Sequence, residues 1–288
     1  MRTWIQFVRE RFDPLSHFLL IALFVAVHGF FCADKTVEVE TSHLIILFFA
    51  TVIFFFNLRL YDEVKDYETD KQINPTRPLP RGLITHKQLY RAVVLSIISF
   101  LSLCFLLGLN SLLAGVITIA YSLLMYKEFF IGDVLRPKLT TYAMTHTLVT
   151  ILLSLTLIVG FKGIALTDIT LRQLSFALSS WCFFNIFEFG RKTFSTEEER
   201  ENVDTYSSLF GKSGACLLTF IQAILGTSFL SYSLNSTSIF IYIPVIYLLI
   251  ITMPFLFKKE SFWGKVYRGG TSFYIILTYV LISFELNF

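Results

Sequence analysis

The sequence predicts an all-α polytopic membrane protein of nine transmembrane helices. Hydrophobic residues make up 55% of its 288 positions and charged residues only 16%, where soluble domains hold nearer a quarter of charged residues. Apolar runs close to the roughly 20 residues needed to cross a bilayer recur from one end to the other. Basic residues gather on alternate connections between those runs, the pattern of the positive-inside rule.

Residues 1–14 are charged and close on Pro14, which suits the first turn of a helix because a missing N–H costs nothing there. The run 15–32 lacks a small-residue cleavage site and is followed by eight more, so it reads as an anchor and not as a removable signal. Those eight are 43–60, 89–109, 111–126, 139–160, 173–189, 214–233, 238–257 and 270–287. The third and fourth runs meet at Gly108, Leu109, Asn110 and Ser111, a tight turn by its Gly and Asn. With the N-terminus in the cytoplasm, only Lys35, Lys162 and Arg172 of the 24 Lys and Arg fall outside it. The odd count then sends the C-terminus to the opposite side, and a cell inner membrane is the expected location.

Cys32, Cys104, Cys182 and Cys216 lie far apart, mostly in apolar runs, and read as small buried hydrophobes. A net charge of +3 is too small to point to nucleic acid.

Acidic residues concentrate in two places. The first segment opens at Asn57 and carries Asp62, Asp66 and Asp70, a DxxxDxxxD spacing followed by RPLPRG with Arg77 and Arg81. On a helix, steps of four residues drift by only about 40°, so the three aspartates form one stripe. Like charges at that spacing repel, and hard oxygen donors of this kind suit Mg²⁺, which takes one or two carboxylates plus waters and substrate phosphates. Pro75, Pro78 and Pro80 end the helix and favour extended backbone beyond it, displaying Arg77 and Arg81 for bidentate phosphate contacts. Taken alone, the same charges would suit a solvated helix end.

The second segment follows run six. Asn185, Glu188 and Lys192 share a helical face, with Arg191 beside them, and the TEEERE run then leads to Asp204. Ser195 or Thr196 before glutamates resembles a helix start, so Glu188 is the preferred acid, with Glu198 and Asp204 next. The matched positions of the two clusters, four spans apart, suggest a weak duplication. The expected halves are 15–138 and 139–257, facing a shared central cavity, with a final helix at 270–287.

At these residues the chain resembles the UbiA superfamily of intramembrane prenyltransferases over nearly its whole length. The resemblance implies nine helices and two acidic motifs that hold Mg²⁺ under cytoplasmic loops. It matches Asp66 and Asp70 to the metal-binding aspartates and places Asp62 where many members carry asparagine. Arg77 matches the arginine of the proline-rich segment, and Tyr121, Tyr126 and Lys127 resemble the tyrosines and basic residue near the diphosphate. The candidate metal set is Asp62, Asp66, Asp70, Glu188, Glu198 and Asp204, the first four being the catalytic candidates. The candidate diphosphate set is Asn57, Arg77, Arg81, Tyr121, Tyr126, Lys127, Arg191 and Lys192. The second motif departs from the usual aspartate-rich pattern by using glutamates.

The implied activity is Mg²⁺-dependent transfer of a polyprenyl group from its diphosphate to an aromatic or other lipophilic acceptor in the bilayer. A terpene cyclase of the same superfamily is an alternative. So is a transporter, but that would need ionisable groups in mid-span, where His146 is the main polar exception and reads as a core histidine.

Overall fold

The computed structural model describes residues 2–33, 39–199, 203–258 and 260–287. Lys35, Arg200 and Lys259 of the charge pattern, and Glu201 of the acidic run, lie outside the described residues. All regular structure among the described residues is helical. The helices are α1 (Arg2–Arg11), α2 (Pro14–Cys32), α3 (Thr41–Lys65), α4 (Tyr67–Ile73), α5 (His86–Leu106), α6 (Leu109–Tyr126), α7 (Gly132–Leu135), α8 (Leu139–Thr147), α9 (Val149–Lys162), α10 (Leu171–Arg191), α11 (Tyr206–Leu234), α12 (Ile239–Phe257) and α13 (Ser261–Asn287).

Among the described residues, eight segments are long and apolar enough to cross a membrane: α2, α3, α5, α6, α8 with α9, α11, α12 and α13. The chain is a multi-pass integral membrane protein. The ninth predicted span is α10, which has the length at 21 residues but not the hydropathy of the other eight. Its polar residues Gln173, Ser175, Ser179, Ser180 and Asn185 are buried, because α11 and α13 pack against it. A helix covered by helices needs no lipid-compatible face, provided its polar groups find partners. Asn185 does: it accepts from the Thr147 hydroxyl of α8 and donates to Gln222 of α11 at 3.2 Å. Gly190 permits the close approach of α13, since a Cβ there would sit 2.0 Å from the Thr271 hydroxyl.

Several helices outrun the apolar runs that predicted them. α3 continues to Lys65, α11 starts at Tyr206 and α13 at Ser261, all through polar turns that hydropathy does not register. The run 139–160 is bent at Leu148, between α8 and α9. Thr145, Thr147 and Thr150 hydroxyls donate to carbonyls three or four residues back, a habit that bends helices.

Contacts divide the chain into two compact units, residues 1–130 with 156–166, and 131–155 with 167–288. In the first, α5 and α6 form the predicted hairpin around Gly108, whose φ of 107° few other residues tolerate. Asn110 braces the turn by donating to the Gly163 carbonyl at 3.1 Å. Also in this unit, amphipathic α1 buries Phe7 against Leu60, Leu79, Ile84 and Leu89. In the second, α10 is the centre of packing for α8, α11 and α13.

Candidate active site

The aspartate stripe of the first unit straddles a helix junction. α3 ends at Lys65 and α4 starts at Tyr67, with Asp66 between them at φ −89°, ψ 4°. The ladder persists across it, since Asp66 N donates to the Asp62 carbonyl at 2.9 Å and Asp70 N to the Asp66 carbonyl at 2.8 Å. The three carboxylates therefore follow one another on a kinked helix, in three different surroundings. Asp62 is solvated, with Arg59 at 3.5 Å and Lys65 at 3.8 Å. Asp70 is buried, ion-paired with Arg77 and bonded by Asn74 Nδ2 at 3.3 Å. The Asp66 carboxylate makes no hydrogen bond or ion pair among the described residues. Burial raises its pKa above the ordinary carboxylate value, with the negative charges of Asp62 and Asp70 adding to the effect and Lys65 and Arg77 opposing it.

The extended backbone expected after Pro75 is instead a run of turns. Arg81 N donates to the Arg77 carbonyl at 3.1 Å, Gly82 N to Leu79 at 3.1 Å and Leu83 N to Pro78 at 2.9 Å. A proline φ suits the first corner of a turn as well as it suits extended chain, and burial of Leu79 beneath α1 decides between them. Arg81 donates to the Thr76 carbonyl at 2.6 Å and to Glu10 of α1 at 2.7 Å. Arg11 of α1 lies 2.9 Å from Glu63, an acid adjacent to Asp62 whose side chain is fully buried. Sequence reasoning missed Glu10, Arg11 and Glu63; apolar spacing at Trp4, Phe7, Val8 and Phe12 was the available sign of an amphipathic α1.

Asn57 is buried and accepts from Ser96 of α5 at 2.7 Å, so it ties two helices. The Tyr126 ring lies 5.0 Å from that of Tyr61 of α3, tilted by 32°, with Lys127 Nζ 5.1 Å from its ring centre. Tyr121 contacts Phe129 in the left-handed stretch Glu128, Phe129 and Phe130, where φ is 50°, 54° and 58°. Three such residues in succession are costly, and they follow Lys127 directly.

In the second unit Glu188 receives Arg191 at 2.5 and 2.8 Å and has Lys192 at 3.4 Å, while Asn185 of the same expected face is turned to Thr147 and Gln222. The helix start expected at Ser195 or Thr196 is a turn, in which Glu198 accepts from Ser195 N and its hydroxyl at 3.2 and 2.9 Å. Each glutamate of this turn is engaged: Glu197 with Ser261 N at 3.0 Å, Glu199 with the Thr205 hydroxyl at 2.8 Å, and Glu198 with Arg268 through two bonds of 2.7 Å. The Arg268 bonds, helped by Ser195, pull the Glu198 pKa down to about 2. Gly264 makes room, since a Cβ there would lie 2.2 Å from Glu198 Oε2. Asp204 is exposed just ahead of α11. Arg268 is a partner that the sequence reading did not find.

The sequence profile of the UbiA prenyltransferase family matches residues 19–277. The chain belongs to that family. The UbiA fold extends beyond the profile: a UbiA homologue from Aeropyrum pernix K1 in apo form has TM-score 0.62 at 12% identity, covering 94% of this chain and 98% of its own. A structure described for digeranylgeranylglyceryl phosphate synthase has TM-score 0.61 at 14% identity, with 99% of both chains covered. A UbiA homologue from Archaeoglobus fulgidus bound to GPP and Mg²⁺ has TM-score 0.60 at 11% identity, covering 96% and 99%. No curated protein sequence matches the chain.

Among the described residues of this UbiA chain, no three His, Cys, Asp or Glu side chains converge as a ready metal cage. Asp66 supplies a desolvated carboxylate without a cationic partner in ion-pair range, and Asp70 a second one shared with Arg77.

Proposed function

We propose that this chain is an Mg²⁺-dependent intramembrane prenyltransferase that moves a prenyl group from its diphosphate to a lipophilic acceptor. The observation that carries the proposal is the Asp66 carboxylate, half-buried and without a hydrogen bond or ion pair among the described residues, one turn from the Asp70–Arg77 pair. A desolvated carboxylate without compensation costs free energy, and a cation returns it. The ligands of the Archaeoglobus fulgidus homologues, GPP or DMAPP with Mg²⁺, support the same reading.

Asp66 and Asp70 would hold the ion, with Asp62 as a solvated outer carboxylate. When bound, Mg²⁺ supplies positive charge that makes diphosphate a better leaving group. Arg77, which pairs with Asp70 in this structure, would offer a bidentate donor to phosphate oxygens, and Lys127 would offer a second positive charge. Glu188 with Arg191 and Lys192 is assigned the same chemistry in the second unit. The apolar span walls exclude water from the allylic cation left when diphosphate departs, so that the acceptor captures it. The site is assigned to the cytosolic side of a cell inner membrane, where the basic segments lie.

Purified protein incubated with prenyl diphosphates of several lengths, with and without Mg²⁺ and an aromatic acceptor, is the test, with lipid extracts read by mass spectrometry. Acceptor-dependent prenylation that needs Mg²⁺ is expected. A cyclised hydrocarbon formed without acceptor would replace transfer by cyclisation, and isotope flux in liposomes without any diphosphate would make the protein a transporter.

A further inference from the structure

Outside the acidic segments, the first unit carries a cleft of about 470 Å³ between α1, α3 and α5. The size is that of a small-ligand site, and among the described residues no carboxylate lines it. Its floor is apolar, from Ile53 and Phe56 of α3 and from Ala92 and Leu95 of α5. Along α5 the lining residues Gln88, Arg91, Leu95 and Ser99 recur at helical spacing and form one stripe. Eleven residues of helix rise about 16 Å, roughly half of the about 30 Å hydrocarbon thickness. The lining stripe is thus about as long as one leaflet is deep.

Besides the Ser96 and Ser99 hydroxyls, its polar side chains are Gln88, Arg91 and Trp4. Gln88 spends its side-chain oxygen on Thr85 in a capping box, which fixes the amide and leaves Nε2 to donate. Arg91 and Trp4 also line the cleft, and neither side chain makes a hydrogen bond or ion pair among the described residues. Three donors at one end, an apolar floor and no acid call for an anionic head with a hydrocarbon tail. The neighbouring α5 residues Val94 and Ile98 are 55% and 56% exposed on a membrane span, so this face meets lipid directly.

We infer that this cleft is a binding site for an anionic phospholipid of the surrounding bilayer, its phosphate on Arg91, Gln88 and Trp4 and an acyl chain along Leu95 toward Ser99. The site is separate from the transfer reaction and stands on the membrane fold alone. Basic clefts at membrane interfaces bind acidic headgroups at about 1 kcal/mol per cationic side chain, or about fivefold in retention.

The full chain in nanodiscs of phosphatidylglycerol or phosphatidylcholine, released and read by native mass spectrometry, tests the assignment. The expected result is retention of one phosphatidylglycerol in preference to phosphatidylcholine, reduced about fivefold by Arg91→Ala and abolished by Ala92→Trp. Val94→Trp, on lipid-facing surface beside the cleft, should retain the lipid. A photoactivatable phosphatidylglycerol on the unmodified protein should label residues between 88 and 99, an arm that needs no variant to fold. Equal retention of both lipids, labelling confined elsewhere, or displacement of the phospholipid by an equal concentration of geranyl diphosphate would overturn the assignment.

Discussion

Asp66 and Asp70 are both aspartates of one motif, yet their surroundings separate function from stability. Asp70 is held by Arg77 and Asn74, so Asp70→Asn should lower both turnover and thermal midpoint. Asp66 is desolvated without a partner, so Asp66→Asn should cut turnover roughly 100- to 1,000-fold, as loss of a positioned electrostatic group does, while leaving the midpoint unchanged or higher. Parallel activity and thermal-unfolding measurements on the two purified variants check this, and normal turnover by Asp66→Asn would remove the proposed metal site. Glu198 behaves differently, because its carboxyl is depressed to about 2 by Arg268 and Ser195. A depressed acid stabilises the fold above its ordinary value near 4.5 and loses that contribution as pH falls toward the folded value. The midpoint difference between wild type and Glu198→Gln should thus be constant above about pH 5 and shrink steadily toward pH 2. The sequence exposed the aspartate stripe because its members are neighbours at helical spacing. It hid the partners of Glu198 and Glu63, because Arg268 and Arg11 lie 70 and 52 residues away and no local pattern links them.

At the level of elements, the most consequential addition to the sequence reading is α1. A ten-residue amphipathic helix is too short to be stable alone, so Phe7 packing and the two ion pairs to Glu63 and Arg81 hold it. Those pairs also tie the helix to the C-terminal end of α3 and to the turn that carries Arg77. The Arg11–Glu63 pair is the stronger constraint, since the Glu63 side chain is fully buried and that of Arg11 is only 15% exposed. Removing one partner of a buried pair costs about 3–5 kcal/mol. Arg11→Ala should therefore destabilise the protein by that order in detergent melts, and Glu63→Gln added to it should recover part of the loss; a double variant as unstable as the single would show that the pair is not the cause. The apolar runs made the other elements legible in outline, although α3, α11 and α13 exceed them. Polar terminal turns and the buried polar face of α10 are stabilised by neighbouring helices, which a window of hydropathy does not contain.

For the whole molecule, the spans and their alternating charge were readable because the bilayer is an external constraint that every segment meets independently. The same charges make orientation testable. All four cysteines are buried, so an impermeant maleimide reports chiefly on cysteines placed at exposed positions. Glu68 on α4 and Thr167 in the short 3₁₀ turn Leu166–Asp168 are exposed, and the charge distribution assigns them to opposite sides. In intact cells with an accessible outer face, Thr167→Cys should label at once and Glu68→Cys only after the membrane is opened. The second position matters most, because it lies between Asp66 and Asp70. Labelling of Glu68→Cys in sealed cells would set both carboxylates on the face away from a cytosolic pool of diphosphates, and the proposed reaction would then have no donor on its own side of the membrane.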